Sequence, residues 1–185
     1  NSITASGAVL SGSPVVATPS SGLATFSALT FTTTGSGVTL TVSSGSLANA
    51  QSNIFTISQP PSAGEIVINQ FSPDYNGASD EYIELLNKTN KSFDLSLLKI
   101  EYQSTGGSGG SAGGNLSGTL GPYQYWLISP NANITVGLTS ALARDGSFTA
   151  GFSAAGGQIA LRLKDSPNTI IDGLAYGPVT VNNLG

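Results

Sequence analysis

Short runs in which apolar and polar residues alternate recur along the chain between clusters of Gly, Pro, Ser and Asn, and this two-residue period predicts strands rather than helices. In Val38-Thr39-Leu40-Thr41-Val42-Ser43 every second residue is apolar, so one face turns to a core and the Thr/Ser face to water. Ala24-Thr25-Phe26-Ser27-Ala28 alternates likewise. Leu29 and Phe31 continue on the opposite phase, which predicts a bulge or a bend where a strand changes sheet. Residues 33–37 supply glycines for a tight connection, residues 54–57 form the last strand of this unit, and Gln59-Pro60-Pro61-Ser62 is a stiff linker.

A second unit opens with Glu65-Ile66-Val67-Ile68-Asn69-Gln70-Phe71. Further strands are expected at 82–86, 97–102, 123–129, 158–163 and 169–175. The Gly/Ser run over 106–114 has too little apolar surface to order itself and is expected as a mobile loop. Ala141-Leu142-Ala143-Arg144 is the one place where a single helical turn is expected. The fold class that follows is all-β.

Charge sharpens the division into units. No ionisable side chain occurs between Asn1 and Gly64, so the six basic and ten acidic residues of the 185 all lie from Glu65 onward. Only 9% of residues are charged, against roughly 25% in an average soluble domain, so Ser, Thr, Gly and Asn must make most of the polar surface, a habit of secreted β modules. There is no His, Cys or Met, which removes the commonest general base, the thiol nucleophile and the soft metal ligands. A net charge of −4 with scattered Lys and Arg opposes binding to a phosphate backbone. No apolar run approaches the ~20 residues of a membrane-spanning helix. Asn1 begins neither a signal peptide nor an initiator sequence, so the chain is expected to be processed or excerpted from something longer.

Gly22-Leu23-Ala24-Thr25-Phe26-Ser27-Ala28-Leu29, Gly35-Ser36-Gly37-Val38-Thr39-Leu40-Thr41 and Ser52-Asn53-Ile54-Phe55-Thr56-Ile57 together resemble the second half of a bacterial Ig-like repeat, over about residues 3–58. The repeats commonly carry an aromatic residue where this chain has Val38. From Glu65 onward the ordered blocks Ile66-Val67-Ile68-Asn69-Gln70, Asp80-Glu81-Tyr82-Ile83-Glu84-Leu85-Leu86-Asn87, Phe93-Asp94-Leu95-Ser96, Leu120-Gly121-Pro122-Tyr123-Gln124-Tyr125 and Ile170-Ile171-Asp172-Gly173-Leu174-Ala175-Tyr176-Gly177 resemble a lamin-tail domain, over about residues 64–185. Gln70 stands where that family frequently has an acidic residue. The resemblances imply two consecutive Ig-like β-sandwich units, the first partial: residues 1–58, a Pro-rich linker at 59–64, and residues 65–185. They also imply that strands are missing at both ends of the chain.

Candidate chemistry is sparse. Asp74, Asn76, Asp80 and Glu81 surround a glycine turn with oxygen ligands that a hard cation such as calcium could use; an Asx turn leading into a strand explains the same residues without metal. Asp80, Glu81 and Glu84 invite a glycosidase reading, but strand alternation points Glu84 away from the apolar face, and no supporting base accompanies them. Gly107-Ser108-Gly109 lies in low-complexity loop rather than a nucleophile elbow. Tyr123 and Tyr125 are expected on one strand face, available to stack on sugar rings, with Trp126 inside. Four Asn-X-Ser/Thr triplets, beginning at Asn87, Asn90, Asn115 and Asn133, serve as surface markers only.

The expected role is a non-catalytic structural or adhesive module of a secreted or cell-surface bacterial multidomain protein or filament, with no cofactor. Its expected partners are other protein chains or other domains of the same long polypeptide, with polysaccharide as a further candidate, and neither nucleic acid nor membrane insertion. An alternative is an accessory substrate- or wall-binding domain of a secreted hydrolase or nuclease.

Overall fold

The computed structural model describes residues 1–73, 81–105, 110–134, 140–149, 151–166 and 169–178. The chain divides into two compact units, Asn1–Gln59 and Pro60–Gly185.

The first unit is an antiparallel sheet of β1 (Ser2–Ser6), β2 (Val15–Val16), β3 (Gly35–Ser43), β4 (Ala50–Gln51) and β5 (Phe55–Ile57). Its spine is the pairing of β1 with β3, from Ser2 opposite Ser43 to Ser6 opposite Thr39. The alternation over 38–43 does form the expected strand. The strand begins earlier, at Gly35, and a register shift between Gly35 and Val38 occupies the expected tight connection. Gly35 is obligatory, because a Cβ there would sit 2.0 Å from the Gly7 carbonyl oxygen. Residues 24–28 do not form a strand. The bend expected there exists, with Ala28 at φ +55°, but the ladder does not: residues 9–11 pair instead with 30–32, through Ser11 N–H to Thr30 O, Thr32 N–H to Val9 O and a bridge from Leu10 to Phe31. Alternation alone cannot make a strand where no neighbour offers a register. Within this unit Ile3, Leu10 and Val38 are buried, while Val9, Val16, Leu23, Leu47 and Ile54 are 56–74% exposed.

The second unit holds β6 (Ile66–Ser72), β7 (Tyr82–Asn87), β8 (Phe93–Asp94), a 3₁₀ turn (Leu95–Leu97), β9 (Leu98–Ser104), β10 (Gly110–Asn115), β11 (Thr119–Leu120), β12 (Tyr125–Ile128), β13 (Asn133–Ile134), β14 (Leu142–Ala143), β15 (Gly157–Leu163) and β16 (Ile170–Tyr176). Two sheets, β12-β7-β6 and β10-β9-β15-β16, face each other across one apolar core. Ile66, Ile83, Leu85 and Ile128 enter it from the first sheet; Leu98, Ile100, Tyr102, Ile159, Leu161 and Ile171 enter from the second. This is the Ig-like sandwich arrangement. Strand β7 alternates strictly, with Ile83, Leu85 and Asn87 buried and Tyr82, Glu84 and Leu86 half-buried, so Glu84 does turn from the core, where its Oε1 accepts from Asn69 Nδ2 at 2.7 Å.

Two segments of the second unit depart from expectation. Of the Gly/Ser run over 106–114, residues 106–109 lie outside the described residues, and residues 110–115 form β10 against β9 with a shift between Ser111 and Gly114. The edge of β9 offers backbone hydrogen bonds that need no side chain, and Gly114 fits where a Cβ would stand 3.3 Å from that of Ile100. Residues 141–144 are not a helical turn: β14 pairs with β13, and four residues cannot repay helix nucleation against the bonds Arg144 makes in the extended form.

The sheet edges are closed by side chains. At the β6 edge, Ile68 N–H donates to Asp172 Oδ2 at 2.7 Å and Gly64 N–H to Ile171 O at 2.9 Å, so a β16 carboxylate stands in for a strand carbonyl and ties the two sheets. At the β12 edge, Leu127 N–H donates to Asp145 Oδ2 at 2.8 Å, while Asp145 N–H and Gly146 N–H return to Leu127 O.

Asn87, read from sequence as a surface marker, is fully buried. Its Nδ2 donates to Lys91 O at 2.6 Å and Gly121 O at 2.8 Å, and its Oδ1 accepts from Thr89 N–H and Thr89 Oγ1. The triplet pattern is silent about this, because it sees only composition. Glu65 reinforces the same corner: a hydrogen bond from Lys91 Nζ at 2.7 Å, then one from Ser62 N–H, holds its carboxyl below the usual range. Replacing Asn87 by Ala orphans two carbonyls and a backbone donor, and is expected to cost about 2–4 kcal/mol, read as a lower urea midpoint for the second unit at unchanged m-value. Asn87→Asp, which turns a donor toward those carbonyls into an acceptor, is expected to be at least as damaging at neutral pH.

Candidate functional site

Of the four oxygen ligands singled out for calcium, Asp74, Asn76 and Asp80 lie outside the described residues. Glu81 lies at the entry to β7, 1% exposed. Its Oε1 accepts from Phe152 N–H, and Gly151 packs against the same carboxylate, where a Cβ would be 3.6 Å from Oε1. Among the described residues no group of three or more acidic, His or Cys side chains is placed to hold a metal.

Glu81 belongs to a structural cluster. Tyr102 OH accepts from Ser153 N–H at 2.7 Å, and Tyr176 OH lies 2.8 Å from Ser153 O and 3.3 Å from Tyr102 OH. Phe152 sits between Phe71, Tyr102 and Phe148, at centroid distances of 5.4, 5.0 and 4.7 Å. One carboxylate and two phenols thus pin the backbone of 152–153 over an aromatic nest. Burial first, then the Tyr102 hydroxyl, then the negative charges nearby, push the Tyr176 phenol far above its ordinary value of 10.0. Sequence reading did not find this cluster, since its members come from five separate segments.

Tyr123 and Tyr125 are both exposed, but they do not share a strand face as alternation implied. Tyr123 is in the turn before β12 at φ +55°, with its N–H on Thr89 O; Tyr125 begins β12 opposite Leu86. Trp126 is on the inner face, opposite Leu85, and packs against the core.

Beside Trp126 a cavity of about 270 Å³ is lined by Leu116, Ser117, Trp126, Arg144, Asp145, Gly146 and Ser147. Two glycines make room for the indole: a Cβ on Gly118 (φ +97°) would lie 2.7 Å from Trp126 Cη2, and one on Gly146 would lie 3.2 Å from Nε1. Arg144 is locked at one end, Nη1 donating to Ser129 O at 2.9 Å and to Pro130 O at 2.5 Å. On the outer face of the other sheet, Glu101 bridges Lys99 at 2.6 Å and Arg162 at 2.7 Å.

The raised Tyr176 pKa fixes a sign. The unfolded chain ionises this phenol near pH 10 while the folded chain keeps it protonated, so its contribution to stability is fully present below pH 10 and falls as pH rises further. Wild-type chain is therefore expected to unfold in alkali with a steep decline in urea midpoint above about pH 10. Tyr176→Phe should flatten that decline while costing about 1–2 kcal/mol at pH 7 for its lost hydrogen bonds.

No curated protein matches the chain. A model of the lamin tail domain matches residues 59–178, a span that contains the two facing sheets, both edge-closing carboxylates, buried Asn87 and the Trp126 cavity. The second unit, and with it the greater part of the chain, belongs to the lamin tail domain family, whose fold is Ig-like.

Proposed function

We propose that this chain is a non-catalytic structural and adhesive module of a secreted or cell-surface bacterial multidomain protein or filament, its first unit being the second half of a bacterial Ig-like repeat. What supports the absence of catalysis is the use of the acids. Of the eight described carboxylates, seven hold structural bonds: Glu65 to Lys91, Glu81 to Phe152 N–H, Glu84 to Asn69, Asp94 to Ser96 N–H, Glu101 to Lys99 and Arg162, Asp145 to Leu127 N–H, and Asp172 to Ile68 N–H. An acid whose carboxylate is anchored by a fixed donor is poorly placed to move a substrate proton, even where its second oxygen stays open.

The first unit supports an interfacial role. Five large apolar side chains stand exposed on it among Ser, Thr and Gly with no ionisable neighbour in sequence. A partner protein can bury such a surface without desolvating a charge. The partners that fit are other protein chains or neighbouring domains of one long polypeptide, outside the membrane and without nucleic acid or cofactor. A second reading, an accessory wall- or substrate-binding domain of a secreted hydrolase or nuclease, draws on exposed Tyr123 and Tyr125.

Brief proteinase K treatment of intact source cells, followed by peptide mapping, tests the location. Peptides from both units are expected in the supernatant while cytosolic marker proteins remain intact. Peptides that appear only after lysis would overturn a surface role.

A further inference from the structure

Around the Trp126 cavity two polar side chains are committed through one atom only, and others bond to no described residue. Asp145 Oδ2 is taken by Leu127 N–H, which leaves Oδ1 without a protein partner among the described residues. Arg144 Nη1 is taken by two carbonyls, leaving its remaining guanidinium N–H groups in the same condition. Ser117 and Ser147 are exposed on the rim, with hydroxyls that bond to no described residue. The indole Nε1–H of Trp126 is buried against Gly146 and has no partner among the described residues. Half-buried Arg144 and exposed Asp145 are therefore each fixed at one atom by the backbone and still carry unused hydrogen-bonding capacity, which is a condition of a preorganised polar site.

The chemistry of the lining selects a ligand class. Arg144 and Asp145 are adjacent and of opposite sign, so the site has no net field with which to choose an anion or a cation. It offers an acceptor beside several donors, with two hydroxyls that can act as either. A ligand that donates and accepts on neighbouring carbons satisfies that set, as a vicinal diol does. Leu116 and the indole supply an apolar wall for C–H groups. At about 270 Å³ the cavity falls just below the roughly 300–1,000 Å³ of sites for larger small molecules, a size suited to one ring.

We infer that the cavity lined by Trp126, Arg144, Asp145, Ser117 and Ser147 is a binding site for a single ring of a neutral saccharide. This goes beyond the structural role proposed above and does not rest on it, because surface location and sugar binding are read by separate measurements. It is also distinct from stacking on Tyr123 and Tyr125, which stand outside this cavity.

Trp126 is the chain's one tryptophan, so intrinsic fluorescence reports on this cavity directly. The full chain is titrated with the methyl glycosides of glucose, galactose, mannose and N-acetylglucosamine, and with sodium glucuronate, each to about 100 mM, a ceiling chosen for millimolar affinity. At least one neutral glycoside is expected to give a saturable change in emission, with glucuronate weaker. Ser147→Leu, on an exposed position whose hydroxyl makes no bond, fills the cavity and is expected to weaken binding by roughly tenfold or more, about 1.4 kcal/mol, with the urea midpoint unchanged. Ser117→Leu serves if that variant fails to fold. The double variant Tyr123→Ala/Tyr125→Ala is expected to bind as wild type. The inference stands if binding saturates, the cavity-filling variant weakens it and the tyrosine variant does not. No saturable response, a preference for glucuronate, or loss in the tyrosine variant overturns it.

Discussion

The second unit depends on closing the edges of a sandwich with very few charges. An open edge presents a row of unpaired N–H and C=O groups, and proteins commonly shield it with Lys, Pro or a covering element. Here two aspartates do part of that work. Asp172 accepts from Ile68 N–H and Asp145 from Leu127 N–H, at the two outer strands of the β12-β7-β6 sheet. Each carboxylate satisfies a backbone donor while occupying the line along which a foreign strand would approach. Because Asp172 lies on β16, its bond also joins the two sheets and fixes their relative register at that corner.

Interior polar groups extend the same economy. Asn87 is buried where β7 ends, and its amide ties the turn after β7 to the chain entering β12. Glu81 is buried near the start of β7 and fastens Phe152. One strand thus carries a hydrogen-bonding anchor at each end and apolar residues between, so the core cannot slide along it without breaking satisfied polar contacts. The Trp126 cavity lies on the neighbouring strand β12, beside the Asp145 edge.

The division of the chain and most strands of the second unit were legible because alternation, turn residues and block order all point the same way there. Strand β7 shows this best: its pattern gave both the extent of the strand and the face of Glu84. Segments decided by pairing rather than by their own pattern were not legible. The Gly/Ser residues of β10 carry no apolar signal, yet the edge of β9 orders them. Residues 24–28 carry the signal and find no ladder. Leu142 and Ala143 extend because Arg144 reaches the carbonyls of Ser129 and Pro130, a contact with no local trace. Among the candidate site residues, the exposure of Tyr125 and the inward face of Trp126 were readable from β propensity and alternation. The left-handed turn at Tyr123 was not, nor was the meeting of residues 116–118, 126 and 144–147 around one cavity, which only the tertiary fold brings together.

The uneven distribution of charge has a consequence for how the protein senses its surroundings. Residues 1–64 contain no side chain that gains or loses a proton, so acid, alkali and salt find no side-chain charge in that stretch on which to act. Every ionisable side chain lies in the second unit, among them Glu65, held low by Lys91, and half-buried Tyr176, pushed high by burial. A single polypeptide therefore joins an electrostatically indifferent segment to a responsive one. In surroundings of fluctuating acidity, the surface of the first keeps one charge state while that of the second changes.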